Sequence, residues 1–145
     1  MYKRNVEIYK KVEKTTSSQR ETEARVLTQG ALKLKWCQDN WNSEERRKLL
    51  AEALKYNQQI WSIFQADLLS GKSPLPENLR QNLLRLSVFV DRQIFQVMAY
   101  PSPDKLTPII NVNLGLAAGL EKKVPISQTS RVPAEPQKNG IEIKG

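Results

Sequence analysis

The stretch Leu49–Leu68, LLAEALKYNQQIWSIFQADL, decides how the chain folds. Within it Leu50, Leu54, Asn57, Trp61, Phe64 and Leu68 step by alternating fours and threes. That is the spacing of one helix face, because 3.6 residues complete a turn. Leu49, Ala53, Ile60 and Ile63 widen the stripe, so the helix is expected to be buried against two neighbours. Ser43 is placed to cap its start, with Glu44 and Glu45 in the first turn near the positive end of the dipole. Gly71 follows Ser70 and is placed to end it.

The same period extends to both sides. Ala24, Leu27, Ala31 and Leu34 predict a helix from about Ser18 to Asp39, with Asp39-Asn40-Trp41-Asn42 as the turn. Ahead of it, residues 1–16 are charged, with Tyr2, Val6, Ile8, Tyr9 and Val12 interspersed; they either fray or dock through those apolar groups. Past Ser73-Pro74-Leu75-Pro76-Glu77, Pro76 suits the first position of a third helix, where its missing N–H costs nothing. The stripe of that helix is Leu79, Leu83, Leu86, Val90, Ile94 and Val97, with Phe89 alongside, and Pro101 and Pro103 close it. A short fourth helix, about Pro108 to Leu120, turns Ile109, Val112, Leu116 and Leu120 inward.

The fold class expected is therefore all-α: a small bundle of three long helices plus a short C-terminal helix, one domain over residues 1–120. In residues 121–145 Pro125, Pro133 and Pro136 separate short polar runs with little to bury, which predicts a flexible, disordered tail.

Composition narrows the chemistry. The 145 residues are 39% hydrophobic and 26% charged, a globular balance. No run approaches the roughly 20 apolar residues of a membrane span. The opening Met1-Tyr2-Lys3-Arg4-Asn5-Val6-Glu7 has no apolar region behind its positive charge, so no signal peptide and no membrane are expected, and the cytoplasm is the expected location. There is one cysteine, Cys37, and no histidine. An intramolecular disulfide is excluded, a structural zinc site lacks ligands, and the commonest general base is missing. Cys37, beside Trp36 in a helical pattern, reads as ordinary packing. With no Gly-rich phosphate loop and no CxxC, nothing meets the needs of nucleophile, base and oxyanion together. Neither catalytic residue, cofactor, metal nor small-molecule substrate is expected.

The net charge of +8 invites a nucleic-acid reading. The surplus is spread thinly, however, and Glu44-Glu45 precedes the longest basic run, Arg46-Arg47-Lys48. That pattern is a solvated helix face rather than a phosphate-binding stripe, so RNA is the weaker partner.

Three asparagines sit in or beside the apolar stripes: Asn57 between Leu54 and Trp61, Asn82 between Leu79 and Leu83, and Asn113 beside Val112. An unpartnered buried amide costs about 1–3 kcal/mol, so each needs a hydrogen bond. Either they bond to one another or to loop carbonyls and fix helix register, or they meet a partner. Tyr56, Trp61 and Phe64 carry the same ambiguity, since aromatic residues build cores and also anchor interfaces.

These residues carry a family resemblance. Ala53-Leu54-Lys55-Tyr56-Asn57-Gln58-Gln59-Ile60-Trp61-Ser62-Ile63-Phe64 resembles the Ala-Leu-x-Tyr-Asn-x-x-Leu-Trp-x-x-Phe segment of the FlaF family of flagellar biosynthesis regulators. Pro74 to Asn82 is similar to that family's Pro-Leu-Pro-x-x-Leu-Arg-x-Asn, and Ile110 to Leu120 to its closing Ile-x-Ile-Asn-x-x-Ile-Ala-x-Gly-Leu. The departures are apolar swaps: Ile60 for Leu, and Val112 and Leu116 for Ile. The resemblance implies a non-enzymatic factor for flagellin synthesis and export, with flagellin and the companion regulator FlbT as partners. The leading expectation is a flagellin-binding, chaperone-like module that takes an amphipathic helix in a groove. Its partner-binding residues would be Tyr56, Asn57, Trp61, Phe64, Arg80, Asn82 and Asn113, with the aromatics as anchors and Arg80 as a rim charge. The alternative is an RNA-associated regulator of flagellin translation. Exposure of Trp61 and Tyr56 discriminates: full burial moves the binding surface elsewhere, to the first helix or the fourth.

Overall fold

The computed structural model describes residues 2–121, with side-chain surroundings from Ser18 onward. Its elements are α1 (Tyr2–Asp39), α2 (Arg46–Leu69), α3 (Glu77–Ala99), a 3-10 turn (Pro103–Leu106) and α4 (Thr107–Glu121). No strand occurs among the described residues, and the all-α architecture of three long helices and a short fourth is as expected. Most of the expected tail lies outside the described residues. Glu121 belongs to α4 instead.

α1 is longer than its apolar stripe. It starts at Tyr2 rather than Ser18 and spans 38 residues. The added segment holds neither glycine nor proline, so nothing in its backbone stops the helix. The expected docking of Tyr2, Val6, Ile8, Tyr9 and Val12 lies outside the described side chains. Ala24, Leu27, Ala31, Leu34 and Cys37 form the buried face of α1, which packs chiefly on α4 and then on α2. Burial raises the Cys37 thiol pKa, an effect partly offset by Arg46. The thiol is a packed side chain, as its position in the stripe suggests.

Apart from the start of α1, the helix boundaries lie within three residues of expectation, and the shifts have local reasons. Ser43 does not cap α2: its Oγ accepts the Glu45 N–H at 3.3 Å and its carbonyl accepts the Arg46 N–H at 3.1 Å. A tight turn thus absorbs Glu44 and Glu45, and α2 begins at Arg46. Pro76 takes the cap position, not the first helical one, because its ψ of 148° is extended. Its carbonyl still accepts the first intrahelical bond, from the Arg80 N–H at 2.9 Å. Tyr100, extended ahead of Pro101, ends α3. Gly71 closes α2 as expected, with a φ of +78°.

The core lies where α1, α2, α4 and the C-terminal half of α3 converge. Val90, Ile94 and Val97 are buried there, whereas Leu79, Leu83 and Leu86 are half-buried at the edge. Ile63 does not widen the α2 stripe. It is 69% exposed, being two residues and about 200° around the helix from Trp61. On α4 the buried line is Ile109, Ile110, Asn113 and Ala117, with Val112, Leu116 and Leu120 as a half-buried flank. The 3-10 turn, absent from the sequence reading, buries Leu106. Gln38 of α1 secures it by donating to the Pro103 carbonyl at 2.9 Å and to Thr107 Oγ1 at 2.8 Å.

Two glycines separate strain from propensity. A Cβ at Gly71 meets no atom within 4 Å, yet the positive φ should make Gly71→Ala cost about 1 kcal/mol. Gly115, inside α4 and equally free of neighbours, should gain up to about 1 kcal/mol as Gly115→Ala. Urea midpoints of the two variants moving in opposite directions is the expected result.

Glu23 supplies a pH signature. Its carboxyl pKa is raised, first by burial and then by the charge of Asp67, with Arg20 opposing. A raised folded-state pKa favours the fold below the ordinary carboxylate range, and that contribution is lost as pH rises through the folded value. Glu23→Gln should therefore stabilise the protein at pH 7, by under about 1 kcal/mol after solvent screening. In thermal melts the advantage should vanish near pH 4.

Candidate partner-binding surface

Of the seven residues singled out, Asn57, Trp61 and Asn113 come together, and they do so inside the bundle. All three are buried. Asn113 of α4 donates from Nδ2 to Asn57 Oδ1 at 2.6 Å and to the Leu27 carbonyl of α1 at 3.1 Å. Its Oδ1 accepts the Trp61 indole N–H at 3.0 Å. Asn57 donates from Nδ2 to the carbonyls of Gly30, at 3.1 Å, and Ala53, at 2.9 Å. Each amide thereby uses both N–H bonds and its oxygen, and the indole is satisfied too. The partners are helix carbonyls rather than loop carbonyls, and the network ties α1, α2 and α4 in one register.

Gly30 makes room for this. A Cβ there would stand 2.6 Å from Asn57 Oδ1 and 2.9 Å from Asn113 Nδ2. The sequence reading passed over Gly30. Its signal was a glycine at a stripe-adjacent position of a helix otherwise rich in good helix formers.

The other four residues scatter around that centre. Phe64 is half-buried and meets Trp61 edge-on, with ring centroids 5.8 Å apart. Tyr56 is half-buried, with the Lys33 ammonium 5.1 Å from its ring centroid. Arg80 is a clamp within the fold: it donates to the Leu68 carbonyl at the end of α2, 3.2 Å away, and pairs with Glu77. Hydrogen bonds from Arg80, and then from Gln81, hold the Glu77 carboxyl below its usual range. Asn82 is exposed and accepts from Arg85 at 3.2 Å. Neither Arg80 nor Asn82 joins the aromatic group.

With Trp61 inside, exposed apolar surface lies elsewhere. An open groove of about 400 Å³ runs between α1 and α4, with Leu32, Ile110 and Leu114 on its walls and Lys35 beside them. Leu32 is 60% exposed. One cation of the basic run is held within the fold. Arg46 lies over the Trp41 ring, 4.2 Å from its centroid, and donates to the Trp41 carbonyl. Among the described residues no cluster of His, Cys, Asp and Glu could hold a metal, and no helix is long and apolar enough to cross a membrane.

Residues 5–120 match the family described as flagellar protein FlaF. The chain belongs to the FlaF family. No curated protein and no solved structure matches it. The segments around Tyr56-Asn57 and Val112-Asn113 supply the two amides of one buried network in this chain. The segment Pro74–Asn82 holds the Arg80 clamp that joins α3 to the end of α2.

Gly30→Ala tests the network. Alanine is the better helix former, yet its methyl would push on two amides that cannot turn away without losing their bonds. A net loss of about 2 kcal/mol is expected, in the range for overpacked cores, read from urea unfolding. An unchanged midpoint would mean that the close approach is not there.

Proposed function

We propose that this FlaF-family chain is a non-enzymatic cytoplasmic factor that binds flagellin and supports its synthesis and secretion, alongside FlbT. It holds an amphipathic flagellin helix against the groove between α1 and α4. The observation that carries this reading is the groove itself. Leu32 and Leu114 stay open to solvent on adjoining helices, while the neighbouring interior is closed by satisfied hydrogen bonds. Amphipathic helices bind such grooves through apolar residues at three- and four-residue spacing. With Trp61 buried and Tyr56 half-buried, we assign the anchor role to Leu32 and Leu114 instead.

A pull-down of flagellin tests the assignment. Leu32→Asp combined with Leu114→Asp should reduce capture at least tenfold while the far-ultraviolet circular dichroism stays native, since neither side chain belongs to the buried core. Undiminished capture by that folded double variant would remove the groove from the mechanism.

A further inference from the structure

α3 carries a second apolar line that the core does not use. Its buried residues are Ser87, Val90, Ile94 and Val97. One position later along the chain, Leu84, Val88, Asp91, Phe95 and Met98 step by 4, 3, 4 and 3. This is the spacing of a heptad seam, the pattern by which one helix can receive another. The seam is open: Val88 is 44%, Phe95 75% and Met98 57% exposed, and Leu84 is half-buried. At its centre Asp91 is half-buried and accepts a hydrogen bond from Gln65 of α2 at 2.8 Å, which fixes its carboxylate. A single polar group in a seam of this kind sets register.

Charge beside the seam indicates what fits. Arg85 and Arg92 lie one heptad apart on the same flank, and both are exposed. Among the described residues neither forms an ion pair with a carboxylate. Two cations repeated at seven residues beside an apolar line match a helix with acidic residues at the same repeat. A second copy of this chain fits worse, because packing two α3 seams together would bring like-charged arginine flanks near each other. RNA fits worse still: Phe95 is the one seam residue that could stack on a base, and two arginines give few phosphate contacts.

We propose that the outer seam of α3 docks an amphipathic helix of another polypeptide, its apolar line flanked by Asp or Glu that meet Arg85 and Arg92. The surface is separate from the α1–α4 groove. A FlaF-family chain with both surfaces occupied would hold two polypeptides at once.

The test uses the full chain and two labelled synthetic helices of about four heptads. Both carry leucine seams with one central asparagine; one is flanked by glutamates and the other by lysines. By fluorescence anisotropy the glutamate helix should bind at least tenfold more tightly than the lysine helix. Arg85→Glu combined with Arg92→Glu should invert that order, and Phe95→Asp should abolish binding of both, with native circular dichroism throughout. The charge-reversed variant should capture flagellin like the parent, which separates this surface from the groove. Equal binding of the two helices, binding of neither, or an order unchanged by charge reversal would overturn the proposal. So would tighter binding of a single-stranded RNA, or a sedimenting dimer that Phe95→Asp dissociates.

Discussion

The bundle depends on one hydrogen bond between two side-chain amides, Asn113 to Asn57. A bond between amides in a dry interior is stronger than in water, and it is costly to leave half made. Every other polar contact of the centre follows from it. With the Asn57 oxygen occupied, its N–H bonds turn to the Gly30 and Ala53 carbonyls, and the Asn113 oxygen is left for the indole of Trp61. Apolar packing alone would tolerate sliding of α4 along α1. The directional bonds do not, and so they convert a cluster of amphipathic helices into a single arrangement.

The network also sorts the roles of the residues that make the chain recognisable. Asn57, Trp61 and Asn113 act as architecture, and Arg80 acts as the fastening of the α2–α3 connection. Surfaces able to meet other molecules are formed by less distinctive side chains: Leu32 and Leu114 in one place, Phe95 and Met98 in another. On the proposed reading, what fixes the shape of the chain is separate from what would touch its partners.

Much of this was legible in the sequence. The three- and four-residue steps located all four helices and most of the core, because the helical period is a property of the backbone. That Asn57 and Asn113 needed partners was also legible, from the cost of a buried amide. What escaped was three-dimensional. Ser43 looks like a cap, yet its hydroxyl serves a turn ahead of α2, a choice settled by loop geometry. The helix through residues 2–17 carries only a sparse stripe, Tyr2, Val6 and Tyr9 among charged residues, too little to announce where it starts. Gly30 gains its meaning only once two amides from distant helices are placed against it. The outer seam of α3 is hidden in a sequence where each of its residues adjoins a core residue.

The longest reach in the network runs from Asn113 back to the carbonyl of Leu27, 86 residues earlier. A ribosome making this chain from the amino end therefore emits α1 long before its chief neighbour exists. α2 and α3 can meet as soon as both have emerged, since a short connection joins them. The greasy side of α1, covered only in part by α2, must wait for α4, and the bundle closes only when α1 and α4 meet. Until α4 has been made, the bundle is an incomplete shell, with the face of α1 from Ala24 to Cys37 still partly uncovered.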